Sequence, residues 1–235
     1  MFLASASEPY SYPMQKLPLS LTDGHLFVSL NDELWLIDTG APSGFGQKDS
    51  ISLADRNFEL GDNYLGMTAE ALSDHVGVPC VGLLGADVLG EFDHLFDLPN
   101  ETLTLSSGEL DHEGHRIPME LFMGIPVLNA QVGDNSHRMF FDTGAQISYF
   151  QHESLKTFPS AGMVSDFYPG VGEFETSTHE VPVTLGIKEF SLQCGQLPEL
   201  LAMTLMMAGT TGIIGNVILQ DRVVGYFPRR NELVI

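Results

Sequence analysis

Two short stretches of this chain carry the same acid in the same setting. Asp38-Thr39-Gly40-Ala41 recurs as Asp142-Thr143-Gly144-Ala145. Each copy follows an apolar run, Leu34-Trp35-Leu36-Ile37 in one case and Met139-Phe140-Phe141 in the other. Gly40 and Gly144 are expected to let the chain turn sharply and to bring backbone amides close to the carboxylates. If the fold brings the two carboxyls together, both cannot ionise easily. One pKa rises and a single proton is shared. The ionised member can take a proton from a water held between them, and the protonated member can donate to a carbonyl oxygen. That is hydrolysis through a tetrahedral diol, with no covalent adduct and no need of a metal or other cofactor.

The acids belong to a larger repeat, which says what must position them. Gly82-Leu83-Leu84-Gly85 recurs as Gly212-Ile213-Ile214-Gly215. Lys16-Leu17-Pro18-Leu19 resembles Arg116-Ile117-Pro118-Met119, and Glu101–Leu105 resembles Asn231–Ile235. Four matched stations in one order indicate duplication. Ser106–Gly114 is polar and contains glycine, so it reads as the joint. The halves are then an N-terminal lobe over 1–108, a linker over 109–114 and a C-terminal lobe over 115–235. Within each lobe the pattern is mostly strand. His25–Leu30 and Glu33–Ile37 flank a hairpin turn at Asn31-Asp32. Val127–Val132 and Met139–Phe141 flank a longer turn, and Arg56–Leu60 matches Lys188–Leu192. Short helical stretches are expected at Ala86–Phe92 and Asn216–Val223. The expected fold is all-β and bilobal, with short helices.

Composition narrows the function classes. Of 235 residues, 43% are apolar and 17% charged, which supports a packed core. Ten basic and 31 acidic residues give a formal charge of −21, which argues against nucleic acid and against an anionic membrane surface as partners. No apolar run reaches about 18 residues, so no spanning helix is expected. Two cysteines, Cys80 and Cys194, cannot build a disulfide framework. Met1–Tyr10 lacks the basic start and apolar stretch of an export signal, and no recognisable pro-segment precedes Lys16. The default localisation is cytoplasmic, or periplasmic or secreted if a signal was removed.

Two Asp-Thr-Gly motifs, each followed downstream by two apolar residues and Gly, resemble the aspartic peptidases over nearly the whole chain. The run from Gly212 to Gln220 is similar to the carboxy-terminal helix region of pepsin-like enzymes, and Leu83–Leu89 with Asp93–Leu105 looks more like bacterial retropepsin-type domains. In that family paired carboxyls are the known instance of a shared proton. The resemblance implies a bilobal pepsin-like or retropepsin-like fold and an aspartic endopeptidase acting as a monomer on a peptide or protein substrate, with Asp38 and Asp142 catalytic. It implies that Thr39 and Thr143 bond across the lobe interface. It also implies that Leu84-Gly85 and Ile214-Gly215 pack beneath the loops formed by Gly40, Ala41, Gly144 and Ala145. Pepsins carry Ser or Thr where Ala41 and Ala145 stand, as retroviral proteases do not. The missing hydroxyls should leave the carboxyl pKa values higher. Asn216 stands where pepsins often have Asp and is expected to cap a helix. The other function class on such a fold is a peptide-binding or inhibitor-like protein without catalysis. The discriminating feature is the acid pair, intact here.

A covering flap is expected from the C-terminal lobe. Leu53 follows Asp38 by 15 positions, whereas the matching Leu185 follows Asp142 by 43. The additional residues include Asp166–Thr178, with Tyr168, Gly170, Val171, Gly172, Glu173 and Phe174 as substrate-facing candidates. Pro42–Ser50 in the N-terminal lobe is too short for such a hairpin. Apolar substrate side chains are expected on both sides of the cut. His112-Glu113-Gly114-His115 reads as solvated linker rather than a metal site. Met203, Met206 and Met207 read as core, and Cys80 as a buried thiol.

Overall fold

The computed structural model describes residues 12–235, so the leader reading at Met1–Tyr10 lies outside the described residues. Among the described residues the chain is mostly β-strand, with three short α-helices at Ala69–Val76, Ala86–Leu89 and Glu199–Met207. The two halves repeat one construction. In the first, His25–Leu30 and Glu33–Ile37 form an antiparallel hairpin. Its turn residues Asn31 and Asp32 have φ of 52° and 64°, the left-handed values that Asn and Asp tolerate best after Gly. Glu33–Ile37 then pairs in parallel with Gly82–Leu84, whose other edge takes Phe45–Gly46. In the second half Asn135–Phe141 pairs in parallel with Gly212–Ile214, whose other edge takes Ser148–Phe150. Each apolar strand that ends in Asp-Thr-Gly is therefore buried on both faces, and its sequence is correspondingly continuous in apolar residues.

The halves are joined by a third sheet. Its order is Met14–Pro18, Thr102–Ser106, Asp93–Asp97, Val223–Phe227, Glu232–Val234 and Arg116–Pro118, all antiparallel. The central pair, Asp93–Asp97 against Val223–Phe227, comes one strand from each half. Phe96, Val224, Tyr226 and Leu233 are fully buried there. Each such side chain contributes about 1.5–3 kcal/mol of transfer free energy. His94 sits in the same seam, opposite Tyr226 in register, and its ring stacks on Phe96 at 5.8 Å between centroids. It is fully buried, and neither ring nitrogen has a well-formed hydrogen bond. Burial pushes its pKa down to about 3, so the ring is neutral.

Asp93 is also fully buried at this seam, and Arg229 at 2.9 Å and Arg230 at 2.7 Å compensate its charge. Its second oxygen accepts from the Leu110 amide at 3.0 Å. The polar segment 109–114 is thereby anchored at one point by a buried residue, Leu110.

Two sequence expectations are corrected. The helical stretches are shorter than expected, ending at Leu89 and Leu219, and the second is a 3-10 turn. Gly90 and the extended Gln220 release the chain into the seam strands. Met203, Met206 and Met207 are not core: they are 58%, 77% and 84% exposed. Glu199–Met207 lies on the surface and buries only Leu201 and Leu205, one turn apart. Its sequence is apolar all round, so periodicity could not mark the buried face. Cys80 and Cys194 are both buried and free, one in each half.

Candidate active site

The two Asp-Thr-Gly loops meet at the lobe interface through their threonines. The Thr39 hydroxyl donates to the Phe141 carbonyl at 2.8 Å and accepts from the Thr143 amide at 3.0 Å. The Thr143 hydroxyl does the reverse, donating to the Ile37 carbonyl at 2.8 Å and accepting from the Thr39 amide at 3.0 Å. Both side chains are fully buried, so four backbone groups depend on two hydroxyls. Thr39→Val keeps the shape and removes the hydroxyl. It leaves the Thr143 N–H and the Phe141 carbonyl unpaired in a dry interface, at about 1–3 kcal/mol each. Urea unfolding of Thr39→Val should show a loss of about 2–5 kcal/mol. A loss under about 0.5 kcal/mol, the range of an ordinary surface change, would mean that the interface does not depend on this reciprocal pair.

The carboxyls face each other above this floor. A Cβ on Gly40 would lie 2.3 Å from the Asp142 carboxyl carbon, and one on Gly144 would lie 2.5 Å from that of Asp38. Each glycine is thus required by the acid of the opposite lobe. Neither has a positive φ. Both lie where the chain turns or bends, as expected, and each also serves close approach. Each acid is also held within its own loop. One Asp38 oxygen accepts from the Gly40 and Ala41 amides, both at 2.8 Å. One Asp142 oxygen accepts from Gly144 at 2.9 Å and Ala145 at 3.3 Å. Asp38 N–H donates to the Leu84 carbonyl at 3.1 Å and Asp142 N–H to the Ile214 carbonyl at 2.9 Å. The second glycine stations thus sit directly beneath the loops, with Leu84 and Ile214 buried.

The electrostatics act unequally on the pair. Burial raises the Asp142 carboxyl well above the usual carboxylate range, and the neighbouring Asp38 charge adds to it. Burial also raises Asp38, but a hydrogen bond from Asp142, the Ala41 and Gly40 amides and the nearby His25 all pull it back. Both carboxyls are raised, Asp142 the more, and the two titrate as one pair.

His25 comes from a turn that crosses between the lobes. Its Nδ1 lies 3.3 Å from the Gly144 carbonyl. The preceding Gly24 carbonyl accepts from Asn216 Nδ2 at 2.8 Å. Asn216 also donates to the Thr143 carbonyl at 3.3 Å. The expectation that Asn216 caps a helix is therefore corrected: Gly215 holds the cap position, and the Asn216 amide ties the first half to the second. Its partner is 192 residues away in sequence, which no local pattern could reveal.

A cavity of about 220 Å³ opens above the acids. Asp38, Gly40, Ala41, Asp142, Gly144 and Ala145 line it, whereas Thr39, Thr143, Leu84, Gly85, Ile214 and Gly215 lie beneath. Its roof is the hairpin of Ser160–Tyr168 and Gly172–Leu185. The inner half, His179–Leu185, pairs with Lys188–Cys194, while the outer half leaves that sheet. A register irregularity between Ser160 and Gly162 marks the base. Tyr168, Glu173 and Phe174 line the cavity; Gly170, Val171 and Gly172 form the tip and do not. Tyr168 lines the same cavity as the acids, and burial lifts its phenol to about 12, with Asp142, Tyr64 and Asp38 adding to the shift. The hairpin touches the opposite lobe. His75 stacks on Phe167 with centroids 3.5 Å apart, and its Nδ1 is 4.0 Å from Glu173.

Sequence reading missed four cavity residues, His25, Tyr64, His75 and Tyr149, and placed Asp166 in the hairpin segment without marking it as substrate-facing. Tyr64 sits on a tiny hairpin, Asn63–Tyr64 with Met67–Thr68, too short to leave a pattern. Tyr149 had a signal, because it follows Asp142 by seven positions as Phe45 follows Asp38. His112 lies in the joint, where its ring meets the Val223 carbonyl at 3.1 Å, and His115 begins the second lobe.

No protein-family model and no curated protein matches the sequence. Solved structures do match in shape. The basic 7S globulin from soybean superposes with a TM-score of 0.50 at 11% identity, covering 95% of this chain and 94% of that one. The aspartic proteinase from Irpex lacteus gives 0.50 at 12% identity, covering 94% of this chain and 96% of that one. A retropepsin-like aspartic protease from Rickettsia conorii gives 0.35 at 15% identity, covering 53% of this chain and 95% of that one. The first two likenesses run the length of both chains. A fold shared by a globulin and a proteinase does not by itself decide catalysis. In architecture the chain is a two-lobed β protein with the fold of the pepsin-like aspartic proteinases.

Proposed function

We propose that this protein is an aspartic endopeptidase, a single chain that supplies both halves of its own site. The observation that carries the reading is the mutual fit of Gly40 against Asp142 and Gly144 against Asp38, which sets two half-buried carboxyls face to face at the floor of one cavity. A peptide would lie extended along the cleft beneath the hairpin. Asp38 takes a proton from water as the water oxygen attacks the peptide carbonyl carbon. Asp142 gives its proton to the carbonyl oxygen, and a neutral diol results. The C–N bond then breaks as the proton on Asp38 passes to the departing nitrogen. Asp142 recovers a proton from the diol hydroxyl, which restores the starting state. Tyr168 and the hairpin exclude bulk water from this step. The test is digestion of a mixed peptide library with and without a pepstatin-type inhibitor. Inhibitor-sensitive cleavage supports the reading; no cleavage at any pH between 3 and 8, about the range over which carboxyl pairs operate, overturns it.

The pH profile follows from the loop chemistry. Ala41 and Ala145 offer no hydroxyl to the acids, so only the loop amides, His25 and the partner acid oppose burial at Asp38, and only the loop amides do so at Asp142. Ala41→Ser with Ala145→Thr adds donors to the ionised forms and lowers the carboxyl pKa values. The pH optimum of the double variant should move toward acid, read from kcat/KM against pH. An unmoved optimum would rule out this explanation.

A further inference from the structure

The duplication permits a comparison of the two halves of the cleft, and they differ in one respect. The first half presents apolar side chains such as Leu36, Phe45 and Met67 together with Tyr64, His25 and His75, but no carboxylate besides Asp38. The second half presents Tyr149, Phe174, Leu197 and Ile213, and with them two carboxylates besides Asp142: Glu173, which is mostly exposed and faces His75, and the half-buried Asp166. Phe45 and Tyr149 are structural twins: Phe45 pairs with Leu83 of the first glycine station, and Tyr149 with Ile213 of the second. The twin in the second half has gained a hydroxyl, and that hydroxyl donates to Asp166 Oδ2. The other Asp166 oxygen accepts from the Phe167 amide at 2.7 Å.

Two donors leave a carboxylate with unused acceptor sites, since its oxygens offer about four. No ion pair among the described residues includes Asp166. It is half-buried and lines the cavity that holds the catalytic pair. An amide or hydroxyl would anchor the hairpin to Tyr149 at a smaller desolvation cost than a carboxylate does. What a carboxylate adds is attraction for a cation. The protein also carries a formal charge of −21, which favours the approach of basic peptides over acidic ones.

We propose that Asp166 makes the second-half side of the cleft a receptor for a basic side chain. Lysine or arginine then stands on one side of the cut and an apolar side chain on the other. The aliphatic stem of the basic residue packs along Tyr149, Phe174 and Ile213, and its charged end meets Asp166. This rests on the endopeptidase reading and specifies its substrate class.

The experiment is a position-scanned peptide series with Lys, norleucine or Glu at each site flanking the cut. It is read as ratios of kcat/KM within each enzyme. Wild type should prefer Lys over norleucine by about tenfold or more at one flanking position, the range of a hydrogen bond to a charged group. The preference should weaken as salt rises. In Asp166→Asn the ratio should fall to near or below one. Tyr149→Phe, which copies the first-half twin, keeps the carboxylate and should keep the Lys preference. If Asp166 serves only to tie the hairpin to Tyr149, the two variants will behave alike on every peptide, and the proposal fails. Cleavage by wild type with no basic preference also overturns it while leaving the endopeptidase reading intact. Absence of any cleavage overturns that reading instead. A thermal melt of each variant checks folding before kinetics are compared.

Discussion

Asp142→Asn should lower kcat by about a thousandfold or more and, at neutral pH, should melt at a higher temperature than the wild type. The first effect follows from the proton inventory. The reaction needs one group that accepts a proton from water while another donates to the carbonyl, and general acid–base catalysis by a positioned group contributes about 10²–10⁴-fold. The amide introduced by Asp142→Asn could hold a hydrogen bond to the carbonyl but has no proton to transfer. The second effect follows from linkage. The folded carboxyl of Asp142 is raised well above its ordinary value of 3.8, so the folded state holds a proton that the unfolded state has released. A group raised in this way contributes fully below its unfolded pKa, and its contribution is lost as pH rises through the folded value. At neutral pH the buried acid is therefore a burden that Asn removes. Asp38→Asn should be equally inactive, with a smaller gain in melting temperature, because Asp38 is raised less. Retention of more than about a tenth of wild-type turnover in either folded variant would overturn the assignment of the pair, since acid–base groups contribute at least about a hundredfold.

Removal of Tyr168–Glu175 should cut kcat/KM by about a hundredfold, or about 2.7 kcal/mol, with little loss of stability. The segment spans the hairpin tip and takes away Tyr168 and Phe174, both of which line the cavity. The remaining strands keep their pairing to Lys188–Cys194, so the sheet beneath is untouched. Gly172→Pro is the smaller probe. Gly172 has a φ of 90°, which the proline ring cannot adopt, so the tip must reshape. A substrate-like inhibitor should protect residues 163–176 from a second protease in the wild type. Turnover that survives the deletion would mean the hairpin is an ordinary surface insertion.

The repeated parts of this structure were legible because repetition is visible in one sequence. The acids, their threonines and the glycine stations recur at fixed order, and the structure places them in matched positions on parallel strand pairs. The hairpin was legible as a difference between the copies. What stayed hidden depends on contacts between distant residues or on faces that no period marks. Asn216 looked like a cap because its neighbours are local, yet its hydrogen bond runs to Gly24. Met203, Met206 and Met207 looked like core because apolar composition says nothing about which side of a surface helix faces inward. Tyr64 lies on strands of two residues, below the length at which alternation can be read. The pairing of Phe45 with Tyr149 needed only the repeat to be followed seven residues further.

The seam that joins the lobes sets a floor on the acidity the protein can tolerate. Each half brings one acid to the centre, and the seam holds the halves that carry them. His94 is neutral at its heart, with a pKa pushed down to about 3 from an ordinary value of 6.5. A histidine depressed in this way stabilises the fold fully above its unfolded pKa and loses that contribution as pH falls toward the folded value. Acidification thus favours the protonated carboxyl pair while it works against the strand pairing that holds the pair together. Inactivation in strong acid should then begin as a parting of the two halves along Asp93–Asp97 and Val223–Phe227, before either carboxylate is exhausted as a base.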